Sequence, residues 1–250
     1  MGEKIWQKLL LSLKRDGLLP SLKKSARYVS PVAISRRRKY REMLTTSDIK
    51  TRFEKIYFHN LWGDPASVSG AGSNLETTKN LRDKLPGLFL KYDITTVLDI
   101  PCGDFYWMQH VVRDAPQIKY TGGDIVSQII DSNLEKYESK DVSFFIIDLR
   151  SDQLLDVDLI IVRDCLFHLS FDDIVKVKEN LKKSNIKYIL TTNHILDKDF
   201  SNIDIVTGDF RLIDIFKEPL CFRGPVLERI ADYVGHDTPR EMCLLSIEGL

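Results

Sequence analysis

The sequence predicts an α/β fold: a doubly wound, mostly parallel sheet of seven strands with a terminal antiparallel strand, preceded by a basic helical arm. Three observations predict it. After residue 90, short apolar runs that close on Gly, Pro or Asp alternate with segments of helical length and period. Connections of that length return the chain by right-handed crossovers, which make neighbouring strands parallel and cover the sheet on both faces. Hydrophobic residues make up 43% of the 250 and charged residues 29%, enough apolar material for the core of one large domain.

The elements follow in chain order. Residues 1–52 hold 14 Lys/Arg against four acids, a balance of +10 that leaves −10 on the remainder of a net-neutral chain. Ile5, Trp6, Leu9, Leu10 and Leu13 fall at helical spacing with Lys4, Lys8 and Lys14 between them. We therefore place a basic, amphipathic helical arm at 1–55 and the domain at 56–250. Thr96–Ile100 reads as a buried strand closed by Pro101 and Gly103, followed by a helix over 104–113 with Asp104 as its N-cap. Lys119–Asp124 is a second strand, and a helix over 127–138 follows with Ser127 as its cap. Val142–Ile147 and Val157–Val162 are the third and fourth strands. A helix over 171–183 carries Asp172 and Asp173 in its first turn, where the helix dipole favours acids. Lys187–Thr192 is the fifth strand. The tail reads as strands at Phe210–Phe216 and Met242–Ile247 with a short helix around Val226–Tyr233 between them.

Several function classes are excluded at this level. A neutral net charge argues against a general nucleic-acid wrapper, and no aromatic-interleaved basic platform follows the arm, so no nucleic acid is expected. No stretch approaches the roughly 18 apolar residues of a membrane span, and the Leu9–Leu13 run is too short for a secretory signal. None of the four cysteines pairs at CxxC spacing, which predicts a reduced, cytoplasmic protein. None of the five His has metal-ligand spacing with another, so no metal is expected. The arm reads as a helix packed on the domain with a solvated basic face. A second reading is a surface, over residues 1–45, for anionic lipid at the inner membrane or for a lipid-linked glycan.

In such sheets ligands bind beyond the carboxyl ends of the strands, near the point where strand order reverses. Asp99 closes the first strand, Asp124 the second, 25 residues later, and Asp148 follows the third beside Leu149. An acid at the second place can accept both hydroxyls of a ribose, and one at the third can hold the amine of an adenine. Gly103 permits close approach of the backbone. Three acids in register argue for an adenosine-containing ligand, while GxGxxG and GxxxxGK[ST] are both absent, which disfavours a phosphate-rich one. This spacing alone leaves a nicotinamide dinucleotide open.

At these residues the chain resembles the class I S-adenosylmethionine-dependent methyltransferases, with a Rossmann-like fold, over about residues 60–250. Of the family's usual acid-x-Gly-x-Gly-x-Gly, the stretch Asp99-Ile-Pro101-Cys-Gly103-Asp-Phe105 keeps the acid and the central glycine. Together with Trp62, Ser69-Gly-Ala-Gly-Ser73, Arg82, Trp107-Met108, Gly123-Asp124-Ile125 and Arg163-Asp-Cys-Leu-Phe-His-Leu-Ser170, it is similar to a bacterial subgroup often associated with surface polysaccharides. The resemblance implies S-adenosyl-L-methionine as cofactor and S-adenosyl-L-homocysteine as product. It assigns Asp99, Pro101 and Gly103 to the methionine end, Asp124 and Ile125 to the ribose, Asp148 and Leu149 to the adenine, and Arg163 and Asp164 to the border of cofactor and substrate. The Ser69, Gly70 and Ser73 loop reads as a lid, a simple linker, or a cluster of backbone amides for the methionine carboxylate, with Arg82 adding a fork of donors.

Methyl transfer needs alignment of nucleophile, methyl and sulfur, and removal of a proton from the acceptor. His168, just past the fourth strand, is the expected base, with Asp164 as alternative base or as the group that orients it. Burial as a core histidine is the competing reading, since Leu166, Phe167 and Leu169 surround it. Asn193, His194, Asp209 and Arg211 are expected to read a sugar or phosphorylated acceptor, with loop capping and a surface ion pair as the competing reading. The expected reaction is methylation of a hydroxyl on a sugar or glycan precursor. N-methylation of an amino sugar or small amine, and a non-catalytic cofactor-binding protein acting through the arm, are the alternatives.

Overall fold

A computed structural model of the chain describes residues 40, 42, 44, 45, 48–62, 66–232 and 238–249. The amphipathic pattern read over residues 5–13 lies outside them. The elements are α1 (Ile49–Phe58), α2 (Lys79–Lys91), β1 (Thr96–Asp99), α3 (Met108–Asp114), β2 (Lys119–Asp124), α4 (Ser127–Tyr137), β3 (Val142–Ile146), β4 (Leu159–Val162), α5 (Phe171–Lys182), β5 (Tyr188–His194), β6 (Val226–Asp232) and β7 (Arg240–Ser246). The strands form one sheet in the order β3-β2-β1-β4-β5-β7-β6. Strand β7 runs antiparallel to both its neighbours and the other pairings are parallel. Among the described residues no helix is long and apolar enough to cross a membrane.

Successive side chains of a strand face opposite sides, and here the two sides are two cores. Val97, Leu159, Ile161 and Leu190 face α2, α3 and α4 through Leu81, Phe89, Val111 and Ile130. Leu98, Ile160, Val162 and Ile189 face α5 through Ile174, Val177 and Leu181. This is why β4 reads as an unbroken apolar run: all four of its residues are buried. Each such side chain contributes roughly 1.5–3 kcal/mol by leaving water.

Four expected features are corrected. The helix after β1 starts at Met108, and Asp104 caps nothing in it; its carboxylate binds the 67–69 segment instead, as described below. The cap of α4 is Val126 rather than Ser127, and it makes no side-chain cap bond. Val226–Asp232 is an edge strand, not a helix. Edge strands carry charge, which breaks the period-two signal: Glu228 pairs with Lys91, and Arg229 with Glu241. Phe210–Phe216 is not a strand of the sheet. Its amides bond to side chains of β5, Ile213 to His194 Nδ1 (3.2 Å) and Ile215 to Asn193 Oδ1 (2.9 Å).

The boundary drawn at residues 55/56 falls inside α1. Helix α1 is capped by Asp48, which accepts from Thr51 N (3.0 Å), and Arg52 donates to the Thr207 carbonyl (3.1 Å). Leu44 and Ile56, both buried, stand where a Cβ on Gly208 would project, at 2.6 and 3.7 Å. The described part of the arm therefore packs on the 204–211 loop.

Candidate functional site

Strand order reverses between β1 and β4, so the crevice opens beyond their carboxyl ends, between the loop after Asp99 and the loop after Val162. Asp99, Asp124, Arg163 and Asp164 all come to this edge.

Asp99 is buried and accepts from the Tyr120 hydroxyl (2.8 Å). Burial raises its pKa to about 7, with the Asp124 charge adding and Tyr120 and Arg163 opposing. Asp124 accepts from Gly103 N (3.2 Å) and Val126 N (3.0 Å), one amide per oxygen. Burial raises it to about 6 against those amides. Ile125 beside it is half-buried. Gly103 has φ +56°, and a Cβ there would stand 2.1 Å from Ser69 Oγ. The glycine thus serves the approach of the chain's own 67–73 segment. Pro101 is half-buried in the same loop.

Asp104, which the sequence reading put to another use, fastens that segment. Its carboxylate accepts from Ser67 Oγ (3.0 Å), Val68 N (3.1 Å) and Ser69 Oγ (3.2 Å). Three amides of the loop are bonded within it. Ser69 N donates to Ser67 Oγ (3.2 Å), Gly70 N to the Ser67 carbonyl (3.1 Å) and Ser73 N to the Gly70 carbonyl (2.9 Å). Arg82 also lies elsewhere in function: it donates to the Leu75 carbonyl (2.6 Å) and to Thr78 Oγ1 (3.4 Å), within its own helix start. What remains is a cover lying on Gly103.

Asp148 is paired by a cation of its own loop. Arg150, two residues on, forks onto it at 2.9 and 2.5 Å and also reaches Asp173 (3.0 Å). Leu149 is buried beside it.

Beyond β4, Arg163 and Asp164 stand in a network of ion pairs. Arg163 is buried, donates to Asp232 from Nε and Nη2 (3.1 Å each) and to the Gly72 carbonyl (2.8 Å), and lies over the Trp107 ring. It ties β4, β6 and the cover together. Asp164, at φ +53°, accepts from Thr192 Oγ1 (3.2 Å) and Arg240 Nη2 (3.1 Å), with Arg163 at 3.5 Å. Burial pushes its carboxyl up, but Arg163 and Arg240 outweigh burial and hold it below the usual range. A carboxylate so stabilised is a poor proton acceptor. Asp232 and Arg240, the other half of this network, were missed. Nothing in their local sequence marks them, and they meet Arg163 and Asp164 only through the β6 and β7 pairing.

His168 sits in a short 3₁₀ turn, Leu166–His168, that ends against Ser170, the N-cap of α5. Its Nδ1 lies 2.8 Å from the Asp209 carbonyl, which can only accept, so Nδ1 carries the proton and Nε2 presents the lone pair. Burial lowers the imidazole pKa more than the Asp209 carbonyl and Asp164 raise it, so the ring is neutral near pH 7. Trp62, 37% exposed, stacks on it with centroids 5.3 Å apart and planes 25° apart, and Phe167 and Phe210 flank it.

The expected acceptor readers divide. Asn193 and His194 are buried in β5 and bond the 213–215 amides, with burial lowering His194 to about 4. Asp209 acts through its carbonyl on His168, while its carboxylate accepts from Phe210 N (2.8 Å). Arg211 is fully buried. Among the described residues no three His, Cys, Asp or Glu side chains are grouped as metal ligands.

The sequence matches no family profile and no curated protein. The fold is that of the S-adenosylmethionine-dependent methyltransferases. It is similar to a SAM-dependent methyltransferase of Leishmania major at TM-score 0.59 and 16% identity, covering 83% of this chain and 89% of that one. It is also similar to magnesium protoporphyrin IX methyltransferase of Synechocystis PCC 6803 with bound SAM, at TM-score 0.53 and 12% identity, covering 81% and 98%. The S-adenosylmethionine-dependent methyltransferase SibL in its apo form gives TM-score 0.53 at 16% identity, covering 94% and 76%.

Proposed function

We propose that this chain is a methyltransferase that uses S-adenosyl-L-methionine to methylate a hydroxyl of a sugar or sugar-containing precursor, with His168 as general base. The observation that carries the reading is the neutral imidazole at the strand-order reversal, its tautomer fixed by the Asp209 carbonyl and its ring held against Trp62. The donor set fits the cofactor: with Asp148 paired to Arg150, Asp99 and Asp124 remain, and carboxylates suit a cationic, hydroxyl-bearing ligand rather than a polyphosphate. S-adenosyl-L-methionine supplies an electrophilic methyl on a sulfonium. Asp124 has lone pairs beyond its two amide bonds and accepts from ribose hydroxyls. Asp99 lies toward the methionine end. The 67–73 cover, fixed by Asp104 and Arg163, excludes water from the crevice. Nε2 of His168 takes the acceptor proton as the hydroxyl attacks. Trp62, stacked on the ring and 37% exposed, supplies apolar surface of the kind on which the C–H face of a sugar ring packs.

Calorimetric titration with S-adenosylmethionine and S-adenosylhomocysteine tests the cofactor. We expect micromolar binding that falls at least tenfold in Asp124→Ala. Absence of binding to both ligands sinks the reading. Methyl transfer to nucleotide sugars and glycan precursors, against small amines, then tests the acceptor.

A further inference from the structure

Arg211 is fully buried, and among the described residues none of Nε, Nη1 and Nη2 has a hydrogen-bond partner. A guanidinium carries five N–H donors, and a buried charge without hydrogen bonds is costly, so such a group implies a partner of its own. Two neighbours among the described residues approach it weakly. Asp204 Oδ1 is 3.7 Å from Nη1, beyond hydrogen-bond reach, and that oxygen already accepts from Phe171 N and Ile205 N (2.8 Å each). The Phe171 ring lies 4.7 Å from the guanidinium carbon and stacks without satisfying any N–H. Asp173, in the first turn of α5, is already shared among Arg150, Lys176 and Thr207. Phe171 begins α5, so the guanidinium stands near the positive end of a 12-residue helix.

We infer that Arg211 is the buried half of an oxyanion subsite, which holds a phosphate or carboxylate carried by the acceptor. The subsite is coupled to the base by the main chain: Arg211 N donates to the Phe167 carbonyl (3.2 Å), and Asp209, two residues earlier, holds His168. The loop that carries Arg211 is overlaid by Tyr40, whose hydroxyl donates to the Gly208 carbonyl, and by Arg52 on the Thr207 carbonyl. In the proposal, an entering ligand parts these two contacts. The inference rests on the acceptor reading above and narrows it from a neutral sugar to an anionic one.

The test titrates the full chain by calorimetry with inorganic phosphate, glucose 1-phosphate and glucuronate, each against potassium chloride at matched ionic strength, with S-adenosylhomocysteine binding measured in parallel. We expect glucose 1-phosphate or glucuronate to bind saturably and more tightly than inorganic phosphate. Binding should weaken at least tenfold in Arg211→Lys, which keeps the charge and loses the fork. It should tighten several-fold in Asp204→Asn, which keeps the cap carbonyl and removes the competing charge. S-adenosylhomocysteine affinity should stay unchanged in both variants, so loss of the cofactor reading and loss of this one are separable. No saturable oxyanion binding by the wild type, or equal binding by Arg211→Lys, overturns the proposal. If Arg211→Lys does not fold, Asp204→Asn decides alone, and no tightening overturns it. Binding of inorganic phosphate as tightly as of either sugar anion would make the ion itself the ligand and remove the acceptor from the proposal.

Discussion

The two flanks of the crevice are built on opposite electrostatic plans. At the ends of β1 and β2, Asp99 and Asp124 are bonded by a phenol and by backbone amides, and burial raises both. At the end of β4 the acid is surrounded by cations: Arg163, Asp232, Arg240 and Asp164 form a chain of ion pairs, and Asp164 is held low. The difference teaches that a strand-end carboxylate has no fixed meaning. Lone pairs bonded only by neutral donors remain available to a ligand hydroxyl. Lone pairs fixed by guanidinium groups hold structure together, here the 67–73 cover.

The largest expected effect breaks the cation-rich flank. Arg163→Met leaves Asp232 buried beside a longer Arg240 contact of 3.7 Å and releases Gly72. Removing one partner of a buried pair costs about 3–5 kcal/mol, read from the urea midpoint at constant m-value. A loss below about 1 kcal/mol would mean that the network is not a latch.

Next in size is His168→Ala, which tests whether chemistry belongs to the ring between the flanks. A lost general base lowers kcat about 10²–10⁴-fold, with S-adenosylhomocysteine affinity within twofold of wild type. In the wild type, the acid limb of the kcat–pH profile should fall below the ordinary histidine value of about 6.5, because burial lowers this imidazole. Full activity in the variant removes His168 from the mechanism.

The smallest effect sharpens the comparison by sign. Asp124 titrates at about 6 in the fold and about 3.9 unfolded, so the folded state binds its proton more tightly. Its contribution is complete below about pH 4 and is lost as pH rises through about 6. Asp164 is depressed, so its contribution is present above about pH 4 and is lost on acidification. Relative to wild type, Asp124→Asn should gain about 1–3 kcal/mol between pH 4.5 and 7.5, whereas Asp164→Asn should lose stability over the same interval. Parallel pH curves for the two variants would erase the distinction between the flanks.

Much of the fold was legible because strand and helix periods are local. The α/β class, the first five strands within two residues at their ends, and the placement of Asp99 and Asp124 at strand ends all follow from apolar runs and their punctuation. The charged edge strand β6 and the extended 210–216 segment were not legible. One hides its alternation under ion pairs, and the other takes its hydrogen bonds from Asn193 and His194 side chains.

By itself, then, the sequence determined which residues reach the carboxyl edge of the sheet, since that depends on spacing along the chain. Only the tertiary structure decided what each can do there. Whether a carboxylate meets an amide or a guanidinium depends on groups brought from strands and loops dozens of residues away. Asp164 was paired by Arg240, and Asp104 by Ser67 and Ser69. The Arg211 guanidinium was left without a hydrogen-bond partner among the described residues.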